Sequence, residues 1–213
     1  MPAITPQLPN IVFDLGNVLI HCDMDKAARM IGERSRLPHE VIRERLFDAE
    51  LIDAWDVGEL DPEGFTARVR ESCEWEGSLP ELEEIWQQML HGDESMFEVF
   101  DELVGAGHDI YILSNANPFH IEYVLREHPQ LLQAQGHIFS CECRMIKPQV
   151  EIFHHLTEKF ALKPGHSIFI DDKLPNIKAA EQAGYHAIHH SSPIATKTAL
   201  SRLIAALGEN SRP

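Results

Sequence analysis

The sequence predicts an α/β fold, a doubly wound parallel sheet with an inserted small all-helical domain. Three observations predict it. Short apolar runs at residues 10–14, 109–114 and 167–171 end on polar side chains and are bounded by turn residues, as buried strands are. Helical periodicity separates most of the runs, which makes the strands parallel and covers both faces of the sheet. Between about residues 22 and 92, by contrast, every periodic segment is helical and no strand is expected.

In chain order, the first strand breaks at Gly16-Asn17, and residues 20–23 lead out of it. Helical spacings follow: Val41, Leu46 and Phe47; Leu51, Ile52 and Trp55; Phe65, Val69 and Cys73; Leu82, Ile85, Trp86 and Met89. Leu37-Pro38, Leu60-Asp-Pro62, Gly77-Ser-Leu-Pro80 and His91-Gly92 punctuate them. Met96 to Val104 make an amphipathic helix closed by Gly105 and Gly107, ahead of the strand at 109–114. Residues 118–127 read as a helix, 137–140 as a strand, 148–160 as a helix and 167–171 as a strand. A helix at 176–183, a strand at 185–189 and a last amphipathic helix at 195–207 complete the pattern. Residues 1–21 and 93–213 therefore form the core and 22–92 a helical cap. Because the insertion follows the first strand at once, the cap is expected over the carboxyl ends of the strands, where open α/β sheets bind ligands.

Composition narrows the function. The 213 residues are 44% apolar and 24% charged, which is globular. Eighteen Lys and Arg against 34 Asp and Glu give a net charge of −16, which argues against nucleic acid and anionic membrane partners. A small phosphorylated ligand remains compatible, provided that a metal or a buried Lys makes the pocket locally cationic. No apolar run approaches the roughly 18 to 20 residues of a membrane span. The Pro-rich start, residues 1–10, has neither the basic lead nor the apolar core of a secretory signal. Four irregularly spaced cysteines, Cys22, Cys73, Cys141 and Cys143, suit a reducing compartment, so a cytoplasmic location is expected.

The strand ends carry the chemistry. Asp14 closes the first strand, Ser114 and Asn115 the second, and Asp171 with Asp172 a third, while Lys147 precedes a helix. In a parallel sheet these ends converge on one crevice. Hard oxygen ligands suit Mg²⁺, and Lys, Ser and backbone N–H groups suit phosphate oxygens.

On these motifs the chain resembles the haloacid dehalogenase-like hydrolase superfamily. Phe-Asp-Leu-Gly-Asn-Val around Asp14, Ile-Tyr-Ile-Leu-Ser-Asn around Ser114, Ile-Lys-Pro around Lys147 and Phe-Ile-Asp-Asp-Lys-Leu-Pro-Asn around Asp171 and Asp172 stand in the family's order. The cap resembles that of bacterial sugar-1-phosphate phosphatases and of the N-terminal phosphatase domain of soluble epoxide hydrolase. The resemblance implies a Mg²⁺-dependent phosphomonoester hydrolase acting on a small phosphorylated metabolite, such as a sugar phosphate, as a monomer or homodimer. It implies Asp14 as nucleophile and Asp14, the Gly16 carbonyl, Asp171 and Asp172 as metal site. Lys147 is implied to neutralise charge, and Ser114 and the Asn115 N–H to hold phosphate.

Three positions depart from the family pattern. Gly16 stands where most phosphatases of the family have a second Asp that protonates the leaving group, and Asn17 stands where they have Gly. Asn tolerates positive φ, so the turn can survive. Arg144 replaces a further Gly. The missing acid keeps two alternatives in view: a metal-independent 2-haloacid dehalogenase, whose halide leaves without a proton, and a catalytically weak phosphate-binding protein. His21, Asp23 and Trp55 lie near or in the cap as candidate substrate contacts or proton sources. From the sequence, turnover of poorly activated esters is expected to be slow and to rise on Gly16→Asp, measured as kcat on alkyl phosphates.

Overall fold

The computed structural model describes residues 8–210, so most of the Pro-rich start lies outside the described residues. Five strands form one parallel sheet: β1 (Asn10–Phe13), β4 (Ile110–Ser114), β5 (Gly136–Phe139), β6 (Ser167–Asp171) and β7 (His186–His189). Their spatial order is β5-β4-β1-β6-β7, so the chain fills one side of β1 and then crosses to the other. That reversal puts a topological switch point at the carboxyl end of β1, next to β4 and β6.

The strands expose alternate side chains to two apolar layers, as the period of two requires. Ile11, Phe13, Ile112 and Ile170 pack with Phe97 and Phe100 of α6 (Glu94–Gly105) and with Leu200 and Leu207 of α11 (Pro193–Asn210). Val12, Leu113 and Phe169 face the opposite side, against Phe153 and Leu156 of α9 (Val150–Phe160) and Ile177 of α10 (Leu174–Gln182). Strands buried on both faces are apolar throughout, which is why these segments read as runs rather than alternations.

The segment after β1 is helical: α1 (Met24–Gly32), α2 (His39–Leu46), α3 (Ala49–Asp56), α4 (Pro62–Ser72) and α5 (Leu79–Gln88). Side-chain caps fix several starts: Asp23 accepts from the Lys26 amide, Asp48 from Glu50 and Leu51, and Asp61 from Gly64. Trp55 stacks on Phe65 at 4.6 Å, and Trp86 meets Phe65 edge-on at 5.0 Å. The helices thus share an aromatic centre, which continues into the sheet domain where Phe119 meets Trp55 edge-on at 5.2 Å. The expectation of no strand in this segment is corrected. Leu90–Gly92 is β3, antiparallel to β2 (Ile20–Cys22), and the ribbon ties the two ends of the helical segment together. A three-residue strand is too short to show a period in sequence.

At the far side, Gly58 follows α3 at φ +77, and a Cβ there would stand 2.6 Å from the Cys141 carbonyl oxygen in α8 (Ser140–Cys143). The helical segment and the sheet domain meet here without room for a methyl group. Gly58→Ala is therefore expected to cost about 2 kcal/mol, from the left-handed backbone and the collision together. Denaturant unfolding checks this; a loss below a few tenths would contradict it.

Candidate active site

Asp14 leaves β1 with its carboxylate accepting the Leu15 amide at 2.7 Å. The chain then turns tightly. Val18, Leu19 and Ile20 amides all donate to the Leu15 carbonyl, and Asn17 takes φ 53 at the point where the family usually has Gly. The Asn17 side chain also works: Oδ1 accepts from the Cys22 amide and Nδ2 reaches Asp172 at 3.3 Å. Arg144, the other replaced Gly, holds φ 56 at the end of α8. Both substituted positions thus keep the left-handed backbone at some steric cost.

Lys147 is the centre of the site. Its ammonium donates to Asp14 Oδ1 at 2.9 Å, to Asp171 Oδ2 at 2.7 Å and to the Leu113 carbonyl at 3.0 Å. Three N–H groups meet three acceptors, which satisfies the group completely. Its segment is fixed by a reciprocal pair with Asn115, whose Nδ2 donates to the Lys147 carbonyl and whose Oδ1 accepts its amide, both at 2.9 Å. The residue type suggested a surface lysine; only 4% of it is exposed.

Asp171 is wholly buried and fully engaged. Besides Lys147, Asn176 Nδ2 donates to both its oxygens at 2.9 Å, and the Lys173 amide donates at 2.8 Å. Asp172 is half-exposed, and the Asn17 amide is its side-chain partner. Asp14, Asp171 and Asp172 can bring one oxygen each within 4.8 Å of one another. Burial pushes the Asp14 carboxyl up to about 7; Lys147 opposes this, and the charges of Asp171 and Asp172 raise it further. Burial works against the charged form of Lys147 as well, but the two carboxylates beside it hold it above the usual lysine range. Three acids share one internal ammonium, an imbalance that a divalent cation would offset. The donor set, all oxygen with one half-exposed member, fits Mg²⁺.

Above these groups lies a cavity of about 240 Å³. Asp14, Gly16, Ser114, Asn115, Lys147 and Asn176 line its floor, and Met24, Phe47, Ile52, Asp56, Trp86 and Met89 of the helical segment line its walls. The Ser114 hydroxyl is buried and, among the described residues, makes only a 3.5 Å contact with the Asn115 carbonyl. The structure therefore gathers every site residue read from the sequence. The candidates beside them do not join in. His21 pairs with Asp93 at 3.1 Å, Asp23 caps α1, and Trp55 is buried in the aromatic centre. Sequence reasoning missed Asp56, Asn117, His120 and Lys173, all of which line the cavity. Asn117-Pro118 signalled only a helix start, and nothing local marked Asp56.

This fold, with these acids at its switch point, defines a class of hydrolase. The chain matches the haloacid dehalogenase-like hydrolase model over residues 9–184 and belongs to that family. D-ribitol-5-phosphate phosphatase of Bacteroides thetaiotaomicron is 23% identical over 189 residues, 84% of this chain and 89% of that protein. Sesquiterpene phosphatase astK of Aspergillus oryzae is 27% identical over 165 residues, 75% and 82% of the two chains. A HAD family enzyme of B. thetaiotaomicron, solved as a magnesium complex, is 25% identical with a TM-score of 0.76, covering 86% of this chain and 93% of its own.

Lys147→Met removes the ammonium and leaves two buried acids facing each other. In metal-free buffer near pH 8 a loss of about 3 to 5 kcal/mol is expected from denaturant unfolding. A change under about 0.5 kcal/mol would show that the pair is dispensable.

Proposed function

We propose that the chain is a Mg²⁺-dependent phosphatase that hydrolyses a small phosphomonoester through a phosphoryl group carried on Asp14. The observation that carries this is Lys147, bonded to two buried carboxylates with a third within reach, at the floor of a cavity. Asp14, the Gly16 main-chain carbonyl and Asp172 would hold the ion, with Asp171 behind them. Both Asp171 oxygens are already taken, so Asp171 acts by fixing Lys147 and the shape of the site rather than as a primary ligand. Bound there, the ion supplies charge neutralisation and alignment of the phosphoryl group.

The protein's own groups do the rest. The Asp14 carboxylate attacks phosphorus, and water later cleaves the resulting acyl phosphate. Lys147 offsets charge on Asp14 and on the phosphoryl oxygens, while Ser114 Oγ and the Asn115 N–H orient one of those oxygens. Residues 22–92 act as the cap that sets substrate choice. A metal-free dehalogenase reading fits poorly, because it leaves three neighbouring acids with a single ammonium. The relatives named as phosphatases support the phosphomonoester reading. The four free cysteines support a reducing, cytoplasmic setting, and no helix among the described residues is long and apolar enough to cross a membrane. The charge of −16 supports a small ester rather than nucleic acid as partner, for a monomer or homodimer.

A panel of phosphomonoesters, including sugar phosphates and an isoprenoid phosphate, should release phosphate with Mg²⁺ and not with EDTA. Asp14→Asn should abolish that release. Halide release from 2-haloacids in EDTA would overturn the reading, and silence in both assays would leave a phosphate-binding protein. Metal binding requires Asp14 to lose a proton it holds up to about pH 7 when metal-free. The native carboxyl then binds more protons than the unfolded one between about 4 and 7, so its contribution to stability without metal falls as pH rises through that window. Mg²⁺ should accordingly raise Tm more at pH 8 than at pH 5.5; the reverse order would contradict the ligand assignment.

A further inference from the structure

An unactivated alcohol leaves phosphorus as an alkoxide unless a proton reaches the bridging oxygen while the bond breaks. Position 16 is glycine and holds no proton. Other groups in the cavity wall can be taken in turn. The Cys22 thiol, pushed up to about 12 by burial and by the charges of Asp14 and Asp56, releases its proton too reluctantly. His120 is pushed down to about 4 by burial, so it is neutral at physiological pH. Asp53 and Lys173 are exposed and suit solvent contact. Lys147 is committed to Asp14 and Asp171.

Asp56, the last residue of α3, remains. Although it belongs to the helical segment, it is pinned to the strand ends. Asn117 Nδ2 donates to its Oδ1 at 2.9 Å, and Ser140 Oγ donates to its main-chain carbonyl. Ser140 Oγ also accepts the Ala116 amide at 3.0 Å, which ties Asp56 to the turns after β4 and β5. The other Asp56 oxygen has no protein hydrogen-bond partner among the described residues, and Asp56 lines the same cavity as Asp14. Cys22 lies close enough to both carboxylates to feel the charge of each.

We propose that Asp56 is the catalytic acid and base of this enzyme, in the part that position 16 leaves empty. The proposal rests on the phosphatase reading above. As the Asp14 oxygen bonds to phosphorus, the bond to the ester oxygen breaks and its electron pair stays on that oxygen. The Asp56 proton moves there and an alcohol departs. In the second step, the Asp56 carboxylate takes a proton from the attacking water, whose oxygen bonds to phosphorus as the bond to Asp14 breaks. Phosphate leaves with Asp14 ionised and Asp56 protonated again, so the sum is ester plus water to alcohol plus phosphate.

Its environment suits the task. Burial pushes the Asp56 carboxyl up to about 6, against the Asn117 hydrogen bond and the Lys173 charge, with Asp53 on the same helix raising it further. The other titratable groups facing it are Cys22 after β1, His120 on α7 (Pro118–Glu127) beyond Asn117, and Cys141 on α8. None is a cation at neutral pH. A donor near the working pH is what proton transfer to a leaving group favours.

Asp56→Asn keeps an acceptor for Asn117 and removes the proton. With Mg²⁺ present, kcat is measured for an aryl phosphate with an acidic phenol and for a simple alkyl phosphate. The aryl-to-alkyl ratio is expected to rise by about 10² to 10⁴ fold in the variant. Gly16→Asp, whose Cβ would meet nothing within 4 Å, is expected to restore the alkyl rate in the Asp56→Asn background. This replaces the expectation that Gly16→Asp alone accelerates the enzyme. An equal fall on both esters, or a KM change at constant ratio, marks a carboxylate that only binds or positions and overturns the proposal. Should the variant not fold, the wild-type enzyme still decides. The dependence of kcat on leaving-group basicity should steepen above about pH 6, and a pH-independent slope overturns the proposal. Wild-type silence on every ester overturns the phosphatase reading and this inference together, whereas an active wild type with an unchanged ratio overturns the inference alone.

Discussion

Lys147 has three protons and three acceptors, and two of the acceptors are carboxylates that could not otherwise be buried. An unpaired charge in that position would cost several kcal/mol, so every element that supplies a partner must arrive in register. Leu113 comes from β4, Asp14 from the end of β1, Asp171 from the end of β6, and the lysine itself from the loop before α9. The sheet order places β1 between β4 and β6, which is what lets one ammonium reach all three. The site and the fold are in this sense one constraint: the switch point gathers the acids, and the lysine makes their gathering tolerable.

What surrounds that centre differs in kind. Asn115 and Asn176 use side-chain amides to orient Lys147 and Asp171, so the charged groups need not find their geometry at the moment of reaction. On the other side, the helical segment provides mostly apolar wall with two acids set in it, the exposed Asp53 and, at the cavity-facing end of α3, Asp56. Asp56 belongs to the helical segment but is anchored on the sheet side through Asn117 and Ser140. The contacts that seat α3 on the strand ends also position Asp56.

Much of this was legible in sequence, for identifiable reasons. The β1, β4 and β6 strands stand out because burial on both faces makes them apolar and the crevice makes their ends polar. Asp14, Ser114, Asp171 and Asp172 were visible for that reason. Lys147 was visible only through its place in a motif, since lysine as a residue type argues for the surface. The β2–β3 ribbon was missed because three residues show no period and their pairing spans the whole inserted segment. Asp56 was missed by one position: Trp55 drew attention as an aromatic, yet its ring is core and its neighbour faces the cavity. No pattern along the chain says that the end of α3 meets the turn after β4. Asn17 and Arg144 show the converse, where a departure from the family's glycines left the backbone conformation intact.

The central claim is that Asp14 takes the phosphoryl group itself, with Lys147 favouring its charged form and fixing its aim. Acid quench during turnover on an aryl phosphate with Mg²⁺, followed by peptide mass spectrometry, tests it most directly. The account predicts a phosphoryl group on the peptide carrying Asp14, lost on treatment with hydroxylamine and absent from Asp14→Asn. Steady phosphate release with no such adduct, and with inversion rather than retention at a chiral phosphorus, would contradict it.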